Sequence, residues 1–481
     1  HKINNALSNN LDIQINDKNA LTFNTTFNTG ISNDEGDVET EFLDSASILY
    51  NYYKRNYNDH QNDYNTDNTL TYTKTFDKKG QNLIVTGNYS FFKQQENPEY
   101  YQPSYFLDQS INETILATQE HNVSKDINHT TYGQIDYAQP FEKANGLLEV
   151  GAKSAYRNIL NDFTSDSLNR TTLSFEQNNG LSNQFRYKEI INASYVIYGG
   201  SYKNFSYKGG VRMEHSIIKG NQSVGNVNFT NKYISFFPSA YLAQKFEKGH
   251  EISLQYRRSI NRPRSRMLNP FGEYSDPYNI RVGNPNLKPV FTESLEFSYV
   301  KNFKNVFLTS SVFFKYSKNP YTRYRTLDSN GVATLDFGNL DNSKDVGLEL
   351  ILRTQITKWW NIMTNANLFG NIISGSVPST GEVSNQNINS FQWNIRMISN
   401  MTVWKKTASI QVMWFYRGKR KFLQGELKPF TFVNIGFKKD FLKDNKATIA
   451  LNISDIFNTM KFRVSSVSDN YSGFVKEIGK V

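Results

Sequence analysis

Around residues 204–217 the chain alternates without a break. Phe205, Tyr207, Gly209, Val211, Met213, His215 and Ile217 fall on one face of an extended strand, and Asn204, Ser206, Lys208, Gly210, Arg212, Glu214 and Ser216 fall on the other. Period two is the mark of a strand, because successive side chains point to opposite sides of the pleat. The pattern recurs along nearly the whole length, while sustained helical periodicity is scarce. Val346, Leu348, Leu350 and Leu352 alternate with Asp345, Gly347 and Glu349. Val306, Leu308, Val312, Phe314 and Tyr316 share a face, as do Trp360, Ile362, Ala366 and Leu368, and Ala447, Ile449, Leu451 and Ile453. One such strand suits a soluble sandwich as well; a polar face repeated over many strands suits a wet lumen better.

The connections sharpen this. Short turns fall at 16–18, 78–80, 141–146, 200–203, 247–249, 302–304, 357–358, 405–407 and 442–445, with longer polar connections between them, such as 31–65, 94–126, 161–183, 261–287 and 317–343. Short periplasmic turns alternating with long extracellular loops are a property of outer-membrane barrels. Counting by this parity gives about 18 complete strands, beginning near Ala6–Ile15, with a partial one after Asn470. The alternating stretch 45–58 would break the parity as a membrane strand, so it reads as a β-excursion of an outer loop. The expected fold is therefore all-β: a large antiparallel transmembrane β-barrel over 1–481. If its parent has 22 strands, the first strand here is the fourth.

Composition agrees. Of 481 residues only 38% are hydrophobic, yet 35 are Phe and 29 Tyr. Aromatic girdles at two bilayer interfaces account for many rings in a polar chain. No window approaches 18 consecutive apolar residues, which excludes a helical span and leaves a barrel untouched. Cysteine is absent, as suits an envelope compartment, and the net charge is +10. The cations are spread through turns, loops and polar faces, so solvated loops and lumen explain the charge better than a nucleic-acid partner. The chain opens on His1 without an export signal and closes at Val481 in a polar stretch, so it reads as part of a longer protein.

Particular motifs add a resemblance. FFPSAYLAQKF at 236–246 is followed by ISLQYRRSINRPRSRMLNPFGEYSDPYNIRVGNPNLKPVFTESLEFSYV at 252–300, and VGLELIL and LNISDIFNT come at 346–352 and 451–459. This ordered series resembles the barrels of TonB-dependent receptors, particularly SusC-like and related types. The resemblance implies a plugged outer-membrane transporter for a siderophore, oligosaccharide or peptide. Its implied partners are outer-membrane lipids, the TonB energy-coupling complex and a surface lipoprotein lid or other outer-membrane subunits. The sequence shows no plug, TonB box, carboxypeptidase-regulatory-like N-terminal domain or aromatic C-terminal residue, four departures from the family pattern that truncation explains. A docking subunit without transport of its own and a passive porin are the alternatives.

The central block reads as a long outer loop stiffened by Pro263, Pro270, Pro277, Pro285 and Pro289, with Gly272 and Gly283. Arg257, Arg258, Arg262, Arg264 and Arg266 place positive charge at the barrel mouth, either to capture an anionic ligand or to pair with Glu273, Asp276 or carboxylates on neighbouring strands. Tyr274 and Tyr278, and Tyr100, Tyr101, Tyr105 and Phe106, are candidates to stack on sugar rings or to pack among loops. The run Asn33-Asp34-Glu35-Gly36-Asp37 offers oxygens to Ca²⁺ without EF-hand spacing. His1, His60, His121, His129, His215 and His250 are scattered, and no GxSxG, P-loop, GxGxxG or HExxH occurs. The sequence thus calls for no catalytic constellation, no cofactor and no metal site.

Overall fold

The computed structural model describes every residue except 1, 44–45, 47, 329–331, 380–381, 405–406, 443–445, 469–470 and 479–481. Expectations touching His1, Asn470, Val481 and parts of the turns at 405–407 and 442–445 lie outside the described residues.

The chain runs as a meander. β1 (Lys2–Asn16) turns back into β2 (Asn19–Leu43), followed by β3 (Leu49–Thr75), β4 (Asn82–Gln102) and β5 (Thr118–Phe141). β6 (Gly146–Leu168) carries a short addition, β7 (Phe175–Gln177), and pairs onward with β8 (Asn183–Tyr202). β9 (Phe205–Gln222), β10 (Asn228–Phe246) and β11 (His250–Asn261) continue the wall. The next connection holds α1 (Ser265–Leu268) and β12 (Asn279–Arg281), before β13 (Val290–Asn302) and β14 (Val306–Lys318) resume it. The hairpin β15 (Tyr321–Leu327) and β16 (Ala333–Asn339) leads to β17 (Asn342–Thr357), β18 (Trp360–Ser379), β19 (Glu382–Val403) and β20 (Ala408–Arg417). A second hairpin, β21 (Arg420–Phe422) and β22 (Gly425–Leu427), precedes β23 (Phe430–Phe441) and β24 (Ala447–Ile453). β25 (Phe462–Ser468) and β26 (Tyr471–Ile478) come last.

Among the described residues nineteen strands share one sheet; without β7, eighteen form a wall of antiparallel neighbours. The expected count is met. Two expectations are not. The segment after Asn470 is no wall strand: β26 pairs with β25 in a separate four-stranded sheet with β21 and β22. Length sorting of the connections is also incomplete. β2 and β3 stay paired from Asn19↔Lys74 to Leu43↔Leu49, so most of 31–65 is ladder and the stretch 49–58 is simply the start of β3. β9 and β10 are joined by 223–227 alone. An antiparallel hairpin satisfies its own backbone hydrogen bonds, so nothing forces it to end at the membrane surface.

Register explains why the wall is stable in lipid. Cross-strand rows on the outward face read Val196–Val211–Pro238 and Ser194–Met213–Phe236, and across the wall Leu295–Phe314–Val346. Ile234 is 62% exposed and Val346 55%, fractions that a water-facing sheet would make costly and a hydrocarbon solvent makes favourable. Each such side chain gains about 1.5–3 kcal/mol on leaving water. The opposite face is hydrogen-bonded. Asn88 donates to Asp67 at 3.2 Å and to Thr69 at 2.8 Å, and the hydroxyls of Ser298 and Ser311 meet at 2.7 Å.

Candidate functional site

The connection 262–289 folds into the mouth of the wall. Leu268 on α1 and Leu287 near its end are buried against Phe185 and Tyr187 of β8, Ile218 of β9 and Phe337 of β16. The luminal face is therefore apolar at its outer end, and there it receives a folded loop instead of water. β12 pairs in parallel with β16 through Asn279↔Ala333, which ties this connection to the next one.

Polar contacts fix the loop in place. Arg262 donates to Glu214 at 2.6 Å, to Ser216 at 2.8 Å and to the Tyr233 hydroxyl at 3.0 Å. Arg212 donates to the other Glu214 oxygen at 2.7 Å. Asn284 donates its side-chain amide to the Phe337 carbonyl at 2.9 Å. Gly283 lies where a Cβ would come within 2.4 Å of the Asn269 carbonyl oxygen, so only glycine fits that turn. At the far side Tyr278 meets Phe42 and Tyr53 edge to face, with centroids 4.8 and 5.0 Å apart. The loop thus spans from β8–β9 to β2–β3.

The sequence-derived candidates separate accordingly. Arg262 is engaged with wall carboxylate and hydroxyls, and Tyr278 packs between aromatic rings. Tyr274 packs edge to face on Phe271 at 5.8 Å. Arg257 is exposed, and Arg264 is exposed at the start of α1. Arg258 is a correction. It shares the outward face with Leu254 and Tyr256, stands 4.0 Å from Glu293 and lies over Phe291. Neighbours in a strand face opposite ways, so Arg257 and Arg258 do not both address the mouth. Tyr100 lies under Arg55, and Tyr105 meets Tyr52 edge to face. Asp34 lies on one face of extended β2 and Glu35 and Asp37 on the other, where Lys54 stands 3.7 Å from Asp37, so the three do not converge on one ion.

Sequence reasoning missed the cavity beside this loop. It is about 600 Å³ in volume, bounded by the wall at Asp345, Asn371 and Asn394 and by Arg417, Arg420 and Lys421 at the end of β20 and in β21. Tyr321 and Leu423, from the two outer hairpins, cover it. The hairpins are joined where the Arg325 amide donates to the Gln424 side chain at 2.6 Å and Gln424 donates back at 2.9 Å. The signal was present as the basic run Arg417–Lys421, but no periodicity ties it to Asp345. Above the wall, burial and the positive charges of Arg266 and Arg281 hold the Arg323 guanidinium below its usual pKa. The mouth is electropositive and lined with amide, carboxylate and guanidinium groups, which can orient an oxygen-rich anionic solute.

A wall of antiparallel strands with an apolar outer belt, a hydrogen-bonded lumen and loops folded into one end is a transmembrane β-barrel. The chain belongs to the outer membrane protein beta-barrel family, whose model matches residues 74–477. Comparison with curated proteins found no match. Among solved structures, the chain is similar to the siderophore receptor PiuA from Acinetobacter baumannii, with 12% identity, a TM-score of 0.62 and coverage of 99% of this chain and 76% of that one. It is also similar to the ferric-catecholate import receptor Fiu from E. coli K12, with 10% identity, a TM-score of 0.58 and coverage of 96% and 77%. The copper transporter OprC aligns at 9% identity and a TM-score of 0.57, over 99% of this chain and 78% of that one. At these identities the likeness establishes the fold, and the fold and family place the protein in the bacterial outer membrane.

Proposed function

We propose that this chain forms the wall of a TonB-dependent outer-membrane receptor that imports a bulky, oxygen-rich anionic nutrient, and that it is not an enzyme. The observation that carries this reading is the mouth. A pinned loop lies across it, and nearby Arg417, Arg420 and Lys421 line one cavity together with Asp345, Asn371 and Asn394. A passive porin keeps an open aqueous channel, whereas a folded loop reaches from β8–β9 to β2–β3 across this mouth, which is equipped with donors. The siderophore and ferric-catecholate receptors among the similar structures support the same direction. Of siderophore, oligosaccharide and peptide, the cationic lining favours a ferric siderophore with anionic oxygens, held by charge-assisted hydrogen bonds. TonB would supply the energy for release.

The test is uptake by cells expressing the full protein, using a panel of radiolabelled ferric siderophores, oligosaccharides and peptides. One class should enter in a TonB-dependent manner, and R417Q/R420Q/K421Q should weaken its binding at least tenfold. Uptake undiminished without TonB sinks the mechanism. A second reading, a docking subunit covered by a surface lipoprotein or another outer-membrane protein, is favoured by the exposed Phe106, Leu107, Ile111, Ile115 and Leu116 on one outer connection. Absence of uptake for every class, with a stable protein partner co-purifying, would establish that reading instead.

A further inference from the structure

We propose that the outward face of β8–β10 binds the phosphate groups of an outer-leaflet lipid. Moving outward along these three strands, the cross-strand rows change character in order. Val196–Val211–Pro238 and Ser194–Met213–Phe236 are followed by Asn192–His215–Ile234, then by Ile190–Ile217–Lys232 and Lys188–Lys219–Thr230, and finally by Arg186–Asn221–Asn228. Arg186, Lys188, Lys219 and Lys232 are all exposed. They form one contiguous patch on the lipid-facing side, at the end of the wall that carries the long connections.

Two physical facts say what this patch needs. Lys188 and Lys219 are directly opposite each other, an arrangement that destabilises a sheet unless a counter-charge is present. The nearest acid on that face, Asp162 of β6, pairs in register with Gln184 on one side and Lys125 on the other. Elsewhere at the same face the protein supplies its own counter-charge, as where Glu293 stands beside Arg258. Asp162 is a diagonal neighbour of Arg186 only, and among the described residues Lys188, Lys219 and Lys232 form no ion pair, so their counter-charge comes from outside.

Depth decides which anion. The row Lys188–Lys219 lies one two-residue step, about 7 Å, beyond the apolar pair Ile190–Ile217. The headgroup layer adds roughly 5–8 Å to each side of the hydrocarbon core. Lys188 and Lys219 therefore stand at headgroup level, with Lys232 one row below them beside Ile217, and a lipid carrying two or more phosphates meets the three together while its acyl chains lie on the belt below. Cations at an anionic surface add about fivefold each to binding.

The test uses the full-length protein in phosphatidylcholine nanodiscs, titrated with diphosphoryl lipid A and with the same lipid after phosphate removal. Wild type should retain the diphosphorylated lipid on the order of 100-fold more tightly than K188Q/K219Q/K232Q. K153Q, on the luminal face over Tyr132, should bind as wild type does. Heat-shifted electrophoretic mobility checks that each variant is folded; if the triple variant is not, the comparison of the two lipids on wild type still decides. Equal retention of the dephosphorylated lipid, equal retention by the folded variant, or inorganic phosphate competing at concentrations matching the lipid would each overturn the proposal.

Discussion

Arg262 and Glu214 meet at 2.6 Å although 48 residues separate them in sequence. The contact joins the first residue of the mouth loop to the inner face of β9, and Arg212 closes on the same carboxylate. Their side chains are only 16% and 11% exposed, so solvent screens the pair weakly. Removing the acid alone is the severe change, because two guanidinium groups then share a partly buried space without a counter-charge. Glu214→Ala should destabilise the loop by about 3 kcal/mol. Limited proteolysis should then cut within 262–289 while the wall stays resistant. A variant as resistant as wild type would show that the loop is held by its apolar contacts alone.

Gly283 tests the same loop without touching charge. Its absent side chain makes room for three carbonyl oxygens, those of Asn269, Arg266 and Met267, the last of which accepts from the Asn284 amide at 2.7 Å. Gly283→Ala must push that turn apart, and the loop should detach from Phe337. The cost should be at least 2 kcal/mol, within the range for overpacking. It is read as faster hydrogen exchange at 267–287, with no change in the amides of β13.

At the second outer hairpin, Lys419 and Lys428 both bond Glu426 at 2.6 Å and hold its carboxyl down to about 2. A depressed carboxylate pKa contributes stability above the unfolded value of 4.5, and the contribution is lost as pH falls through the folded value of about 2. The hairpin should therefore keep its fold at pH 5 and loosen between about pH 4 and pH 2. Glu426→Gln should remove that acid dependence. A carboxyl titrating near 4.5 by NMR would contradict the paired geometry.

Legibility followed locality. The wall could be read from the sequence because alternation is a property of adjacent residues, and Phe205 to Ile217 carries its fold on its surface. The mouth could not. Arg262 looks like a ligand-binding cation until Glu214 and Tyr233, on two other strands, are brought beside it. Arg258 shares the sequence context of Arg257 and faces the opposite way. The outer half of β2 is polar on both faces, which in sequence resembles a loop, while the start of β3 alternates like a strand and loop parity alone argues against it. The strand count predicts a partial wall strand after Asn470, and only pairing shows that the neighbour of β26 is β25.

Phe314 and Lys315 put the orientation of the wall to a direct test. Phe314 lies in the outward row between Leu295 and Val346 and is 43% exposed, while Lys315 shares the luminal face with Phe313, over whose ring it sits at 4.6 Å. The two residues are neighbours in sequence, so their environments differ only by the side of the sheet. Phe314→Lys should cost about 1–2 kcal/mol, because Phe314 stands one step below the polar row Glu293–Tyr316–Lys344 and the penalty for a lipid-facing cation falls from the midplane toward the interface. Lys315→Gln should cost little, since the lumen solvates a cation or an amide equally well. Urea-induced unfolding from phosphatidylcholine vesicles measures both. If the two substitutions cost the same, the outward row does not face lipid, and the barrel would have to be turned inside out to accommodate the result.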